Sequence, residues 1–280
     1  LREAMPRRCG DARRQPLASA RRWESRRLYG RGYQTPGFGF GPPVTPPVVK
    51  QLLITNAVVF VLQMLYPALF RFGAVTPVLV VQGGYLWQPF TYMWLHAGLG
   101  HLAMNLFVLW MFGSQLAMAW GPKRFMRFYL ICGLGAGVII SIVPYLLVGI
   151  GADVGHALVL PTVGASGAIY GVLLAYSLTW PDRTIMLIFP PVAFRAIWLI
   201  PAMFLMTFLF GERNVSHVGH LGGVLVAWLY LRRQGDAGKL LTVEQLKYRW
   251  RRYRMRRKLR AIRYEEYEAR RRRDDDQRLH

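Results

Sequence analysis

Residues Thr162 to Trp180 read TVGASGAIYGVLLAYSLTW, nineteen positions without one charged side chain. About 20 helical residues cross the roughly 30 Å hydrocarbon layer of a bilayer, so this stretch is long enough to be a membrane span. It also carries Ser166 near its start, between Ala165 and Gly167, and a serine flanked by small residues in an apolar helix has two readings. It is a packing residue that lets helices approach, or it is a nucleophile placed where free backbone amides and the helix dipole favour a developing negative charge.

Working outward, lysine and arginine number 11 in residues 1–50, 7 in residues 51–231 and 18 in residues 232–280, while the acids number 3, 3 and 8. Ten charged side chains in 181 central residues is far below the about 25% of a soluble domain. The chain therefore divides into a basic, Gly/Pro-rich arm (1–50), an apolar body (51–231) and a basic tail (232–280). Of the +22 net charge, +18 sits on the two arms without a recognition module, so anionic lipid headgroups are the expected partner of these ends and nucleic acid is not. Cys9 and Cys132 lie in an arm and in an apolar stretch, which implies neither a disulfide nor a thiolate metal site.

Five further segments are apolar enough to cross: 51–70, 101–120, 125–148, 196–210 and 216–231. The fifth of the six spans is chosen over a start nearer Thr184, because Pro190, Pro191 and Pro201 interrupt that region and Arg195 is badly placed at mid-bilayer. An even count returns both termini to one side. Lys123, Arg124, Arg127, Arg183, Arg195, Arg232 and Arg233 share that side, against Arg71 and Arg213 opposite, so the termini are expected to be cytoplasmic. The expected fold is an all-α polytopic bundle of six transmembrane helices, and a bacterial inner membrane is the expected location. An Arg-rich N-terminal stretch is also compatible with an organellar transit peptide. Met5 is a candidate start, which leaves the origin of residues 1–4 open.

Tyr85, Trp87, Phe90, Tyr92 and Trp94 crowd the long connection between the first two spans. They read as an interfacial anchor or as a lateral wall for a membrane substrate. In the tail, Trp250, Tyr253, Leu259, Ile262 and Tyr264 are spaced among arginines, as in a membrane-surface helix or a solvated tail.

Two further spans carry paired histidines. His101 and Asn105 lie four apart on one helix face, where both can donate to an oxyanion; Asn105 alone also reads as an interhelical hydrogen-bonding residue. On the last span His220 follows His217, beside the ridge Gly219, Gly223, Ala227. Gly167 and Gly171 form a matching ridge beside Ser166, and small residues four apart let two helices touch. Ser166 and His220 can then come within hydrogen-bonding reach, with Tyr170 one turn below the serine on the same face. Asp182 lies sixteen residues after Ser166, about 24 Å along a helix, and Asp153 and Glu212 read as loop charges, which leaves a dyad without a carboxylate. A metal held by the four histidines would leave Ser166 and its glycines without a role, and no His-Glu-x-x-His signature accompanies them.

At these residues the chain resembles the rhomboid family of intramembrane serine proteases. Gly164-Ala165-Ser166-Gly167 is similar to the family's nucleophile motif, His220-Leu221-Gly222-Gly223 to its catalytic-histidine motif, and His96 through His101 to Asn105 to its second-helix pattern. The resemblance implies Ser166 as nucleophile and His220 as base. It places His101, Asn105 and the Ser166 amide in an oxyanion hole, and Tyr170 against the catalytic ring. Gly164, His96 and His217 would support them. It implies no cofactor and no metal, and substrates that are transmembrane helices of other proteins. Trp87-Gln88 departs from the Trp-Arg of many members, which puts the hydrogen bonding of that loop in question.

Overall fold

The computed structural model describes residues 41–186, 192–210, 217–234, 251, 254 and 255. The basic arm up to residue 40 and nearly all of the basic tail lie outside the described residues, as do Pro190, Pro191, Glu212 and Arg213.

The chain is mostly helical. Helix α1 (Pro47–Leu65) starts four residues before the expected span. Pro47 suits a first helical position, since its φ is preset and its missing N–H would be unpaired there anyway; Pro67 disfavours helical geometry at Tyr66 and ends it. The last residues of the Gly/Pro-rich arm pack against the apolar body. Gly41 lies against the Trp110 ring, and the Trp110 indole N–H donates to the Thr45 hydroxyl at 2.8 Å.

Helix α2 (Leu99–Trp120) contains one wide turn, Leu109–Gly113. Gly121, at φ +83°, reverses the chain in a single residue, and α3 (Pro122–Gly149) begins at once. Three helices, α1, α2 and α3, are long and apolar enough to cross a membrane. The others are shorter: α4 (Ser166–Thr179), α5 (Leu199–Phe210) and α6 (His217–Arg233) have 14, 12 and 17 residues. Helix α4 begins at Ser166 itself, not at Thr162, because Thr162 is extended and pairs with Val75 through two backbone hydrogen bonds.

The expectation of helices alone is corrected between α4 and α5. Strands β1 (Thr184–Met186) and β2 (Ala193–Arg195) pair antiparallel, Ile185 opposite Phe194. Arg195 lies on this strand pair with its side chain more than half exposed, 3.8 Å from Asp182.

Helix α4 is the centre of the bundle, with eleven of its residues buried. It packs against α3 and α6, which also pack on each other, and small residues set the spacing. Gly171 faces Cys132 of α3 and Ala227 of α6, and Gly223 lies directly on the Gly167 carbonyl.

The connection from α1 to α2 is tied down by Gln88, which is fully buried. Its amide oxygen accepts the Thr76 N–H at 3.0 Å and its amide nitrogen donates to the Phe72 carbonyl at 3.2 Å. Trp87 donates to the same carbonyl, and the Thr91 hydroxyl donates to Gly73. A carboxamide both donates and accepts here, so the Trp-Gln departure has its own complete set of partners. Gln88→Ala is expected to cost about 1–3 kcal/mol, since it strands a buried N–H. A lowered thermal midpoint in detergent is the measurement; an unchanged one would show the loop held by other means.

Candidate active site

Ser166 is the first residue of α4, where the backbone amides lack intrahelical partners. Gly164, two residues earlier, has φ +126°, a left-handed conformation that side chains rarely adopt. A methyl group there would also stand 2.7 Å from Cε1 of His101. The glycine thus serves both the sharp entry into α4 and the close approach of an imidazole.

His220 comes from the first turn of α6 and is 6% exposed. Its Nε2 lies 2.9 Å from the Ser166 hydroxyl oxygen, within the reach a general base needs. Its Nδ1 is buried and has no hydrogen-bond partner among the described residues. The Tyr170 ring stacks on the imidazole, with centroids 4.1 Å apart and planes at 15°. His217, an exposed residue, meets His220 edge-on at 6.4 Å.

His101 accepts the Ala97 N–H at Nδ1, at 3.3 Å. In a neutral ring that acceptor role puts the proton on Nε2, the atom beside Gly164. Asn105, expected to share this face, is buried and donates from Nδ2 to the His101 carbonyl at 2.9 Å. One of its two amide hydrogens is therefore engaged by its own helix. His96 is fully buried and edge-on to His101 at 5.2 Å. Burial pushes its pKa down to about 4, with the His101 ring adding to the effect, so at neutral pH it is an uncharged packing ring. Its backbone is clamped by Gln63, whose side-chain oxygen accepts the His96 N–H and whose amide donates to the His96 carbonyl.

Two contributors escape a reading of the sequence. Tyr92, grouped there with the interfacial aromatics, is 2% exposed. Its hydroxyl donates to the Gly133 carbonyl at 2.8 Å and its own carbonyl accepts the Gly164 N–H at 2.9 Å. It joins the first connection to α3 and to the entry of α4. Trp87 and Phe90 of the same cluster are exposed, as an anchor or wall would be. Gln63 is the other: a polar residue in an apolar helix is the signal that could have singled it out.

Residues 83–233 match the Rhomboid domain family. The human presenilin-associated rhomboid-like protein, mitochondrial, is 35% identical over 140 residues, covering 49% of this chain and 35% of that protein. Rhomboid protease GluP of Bacillus subtilis is 31% identical over 188 residues, 62% of this chain and 32% of its own. RHOMBOID-like protein 12, mitochondrial, of Arabidopsis thaliana is 31% identical over 205 residues, 66% and 59%. The chain spans about a third of the length of the presenilin-associated relatives it matches. Several of these relatives carry a mitochondrial name, so the expectation of a bacterial inner membrane gains no support from them. Together with three membrane-length helices, the match over more than half of the sequence makes this a multi-pass membrane protein that belongs to the rhomboid family.

Proposed function

We propose that the protein is an intramembrane serine endopeptidase that hydrolyses transmembrane segments of other membrane proteins through a Ser166–His220 dyad. The observation that carries this reading is the 2.9 Å approach of His220 Nε2 to the Ser166 hydroxyl. Nε2 takes the hydroxyl proton as the oxygen attacks a peptide carbonyl, and the carbonyl oxygen becomes an oxyanion. The Ser166 amide at the start of α4, His101 Nε2–H and the second Asn105 amide hydrogen are the donors assigned to it. The imidazolium then protonates the leaving amine, which frees the new N-terminus and leaves an ester on Ser166. Water, deprotonated by the same Nε2, cleaves the ester and restores the hydroxyl. Tyr170 supports the ring throughout, with Gly164, His96 and His217 in supporting positions.

In this reading α4, α5 and α6 complete six spans, and both basic ends lie on one side near anionic headgroups. The apolar body 51–231 is the catalytic domain between the arm 1–50 and the tail 232–280. A substrate must present an unwound stretch, because a helical carbonyl is already engaged in a backbone hydrogen bond.

The test is cleavage of a single-span peptide in liposomes by the wild type and by Ser166→Ala, alongside labelling with a fluorophosphonate. Wild type should cleave and label while Ser166→Ala does neither. Equal cleavage by both would end the assignment, and peptide binding without cleavage by either would favour a member that grips substrates without cutting them.

A further inference from the structure

Helix α5, LIPAMFLMTFLF, has a single polar side chain, Thr207. Leu205, Phe208 and Leu209 around it are exposed on the outer surface of the bundle, whereas Thr207 turns towards α4. Its hydroxyl lies 2.8 Å from the Met203 carbonyl one turn earlier and 2.8 Å from the Tyr170 hydroxyl, which is itself 3.2 Å from the same carbonyl. The Thr207 hydroxyl has one hydrogen. If it donates to Met203, it accepts the Tyr170 O–H; if it donates to Tyr170, the phenol donates to Met203. Either arrangement fixes the phenol on α5. The same ring stacks on His220, and Phe204 of α5 touches both, at 4.9 Å from Tyr170 and 6.3 Å from His220.

We propose that Thr207 is a positioning residue: it anchors the Tyr170 ring that holds His220 towards Ser166, so the aim of the base depends on how α5 sits against α4. This rests on the dyad reading above. A hydroxyl in an apolar helix has few other partners, and a phenol released from it would leave the stacked imidazole free to tilt. Tyr170 also faces the ring that becomes cationic when the serine proton is taken, and an aromatic face attracts that cation. Thr207 therefore acts on the step in which the proton moves, and not on the affinity for substrate.

The experiment uses the full chain in liposomes with the single-span peptide. Thr207→Val, which keeps the shape and removes the hydroxyl, is expected to lower kcat about fivefold to tenfold, the scale of one lost hydrogen bond, with KM within twofold. Thr207→Ser should restore kcat. Tyr170→Phe should show the same loss, and adding Thr207→Val to it should cost nothing more. A wild-type kcat for Thr207→Val overturns the proposal, as does failure of Thr207→Ser to rescue or a change confined to KM. Should Thr207→Val prove unstable by thermal melting, Tyr170→Phe at wild-type kcat overturns it as well. Wild-type cleavage that Ser166→Ala abolishes but Thr207→Val leaves intact would sink this inference and spare the dyad; cleavage that persists in Ser166→Ala would sink the dyad itself.

Discussion

His220→Ala is expected to lower turnover of a single-span peptide by about 10⁴-fold or more, and the double variant with Ser166→Ala to be no slower than either single one. The two groups lie 2.9 Å apart, and under the dyad reading they act as a unit whose members are not additive: once the base is gone, the hydroxyl is no better than an ordinary alcohol. Among the described residues nothing hydrogen-bonds to the far nitrogen of His220, so the carboxylates of Asp153 and Asp182 are expected to contribute little, and Asp153→Asn and Asp182→Asn should stay near wild type. The measurement is single-turnover cleavage in liposomes, with fluorophosphonate labelling as a second readout. Labelling of His220→Ala at the wild-type rate would mean that another group activates the serine. His217→Ala should cost about tenfold or less, since its ring meets His220 only edge-on and supplies no proton acceptor to the serine.

Gly223→Ala is expected to lower activity by about 100-fold without touching either reacting group. A methyl there would be driven into the backbone carbonyl of Gly167, and a backbone carbonyl cannot rotate aside as a side chain can. Relief requires α4 and α6 to separate, at about 1–3 kcal/mol or more for an overpacked contact. The same movement lengthens the Ser166–His220 approach, and a misplacement of about 1 Å is enough for a loss of about 100-fold. Gly222→Ala is the neighbouring comparison: its methyl would meet only Ile139 side-chain atoms, the nearest at 3.1 Å. Gly149→Ala would meet nothing and should be neutral or slightly stabilising, since alanine favours a helix. Thermal melting and cleavage together test the series. Equal effects at Gly222 and Gly223 would refute the claim that this carbonyl contact sets the helix spacing.

What could be read from the sequence was whatever depends on local spacing. Gly167 and Gly171 facing Gly219, Gly223 and Ala227 marked a helix contact, and Ser166 and His220 lay beside it on either side. The start of α4 was misjudged by four residues because nothing apolar distinguishes Thr162 from Ser166; the backbone pairing of Thr162 with Val75, almost ninety residues earlier in the chain, decides it. The pairing of Thr184–Met186 with Ala193–Arg195 was not legible, since two three-residue strands carry too little alternation to register. Gln63, Tyr92 and Thr207 owe their importance to partners 33, 41 and 37 positions away. No single-sequence pattern encodes such pairs. The wide turn in α2 has no evident signal in its residues.

With 14 residues, α4 is about 21 Å long, some 9 Å short of the hydrocarbon thickness. Before its Ser166 end the chain is not helical, and Thr162 pairs there with Val75. Under the dyad reading, the one water consumed in each turnover reaches Ser166 from that flank, while the catalytic proton passes from serine to amine and from water back to serine, so none is used up.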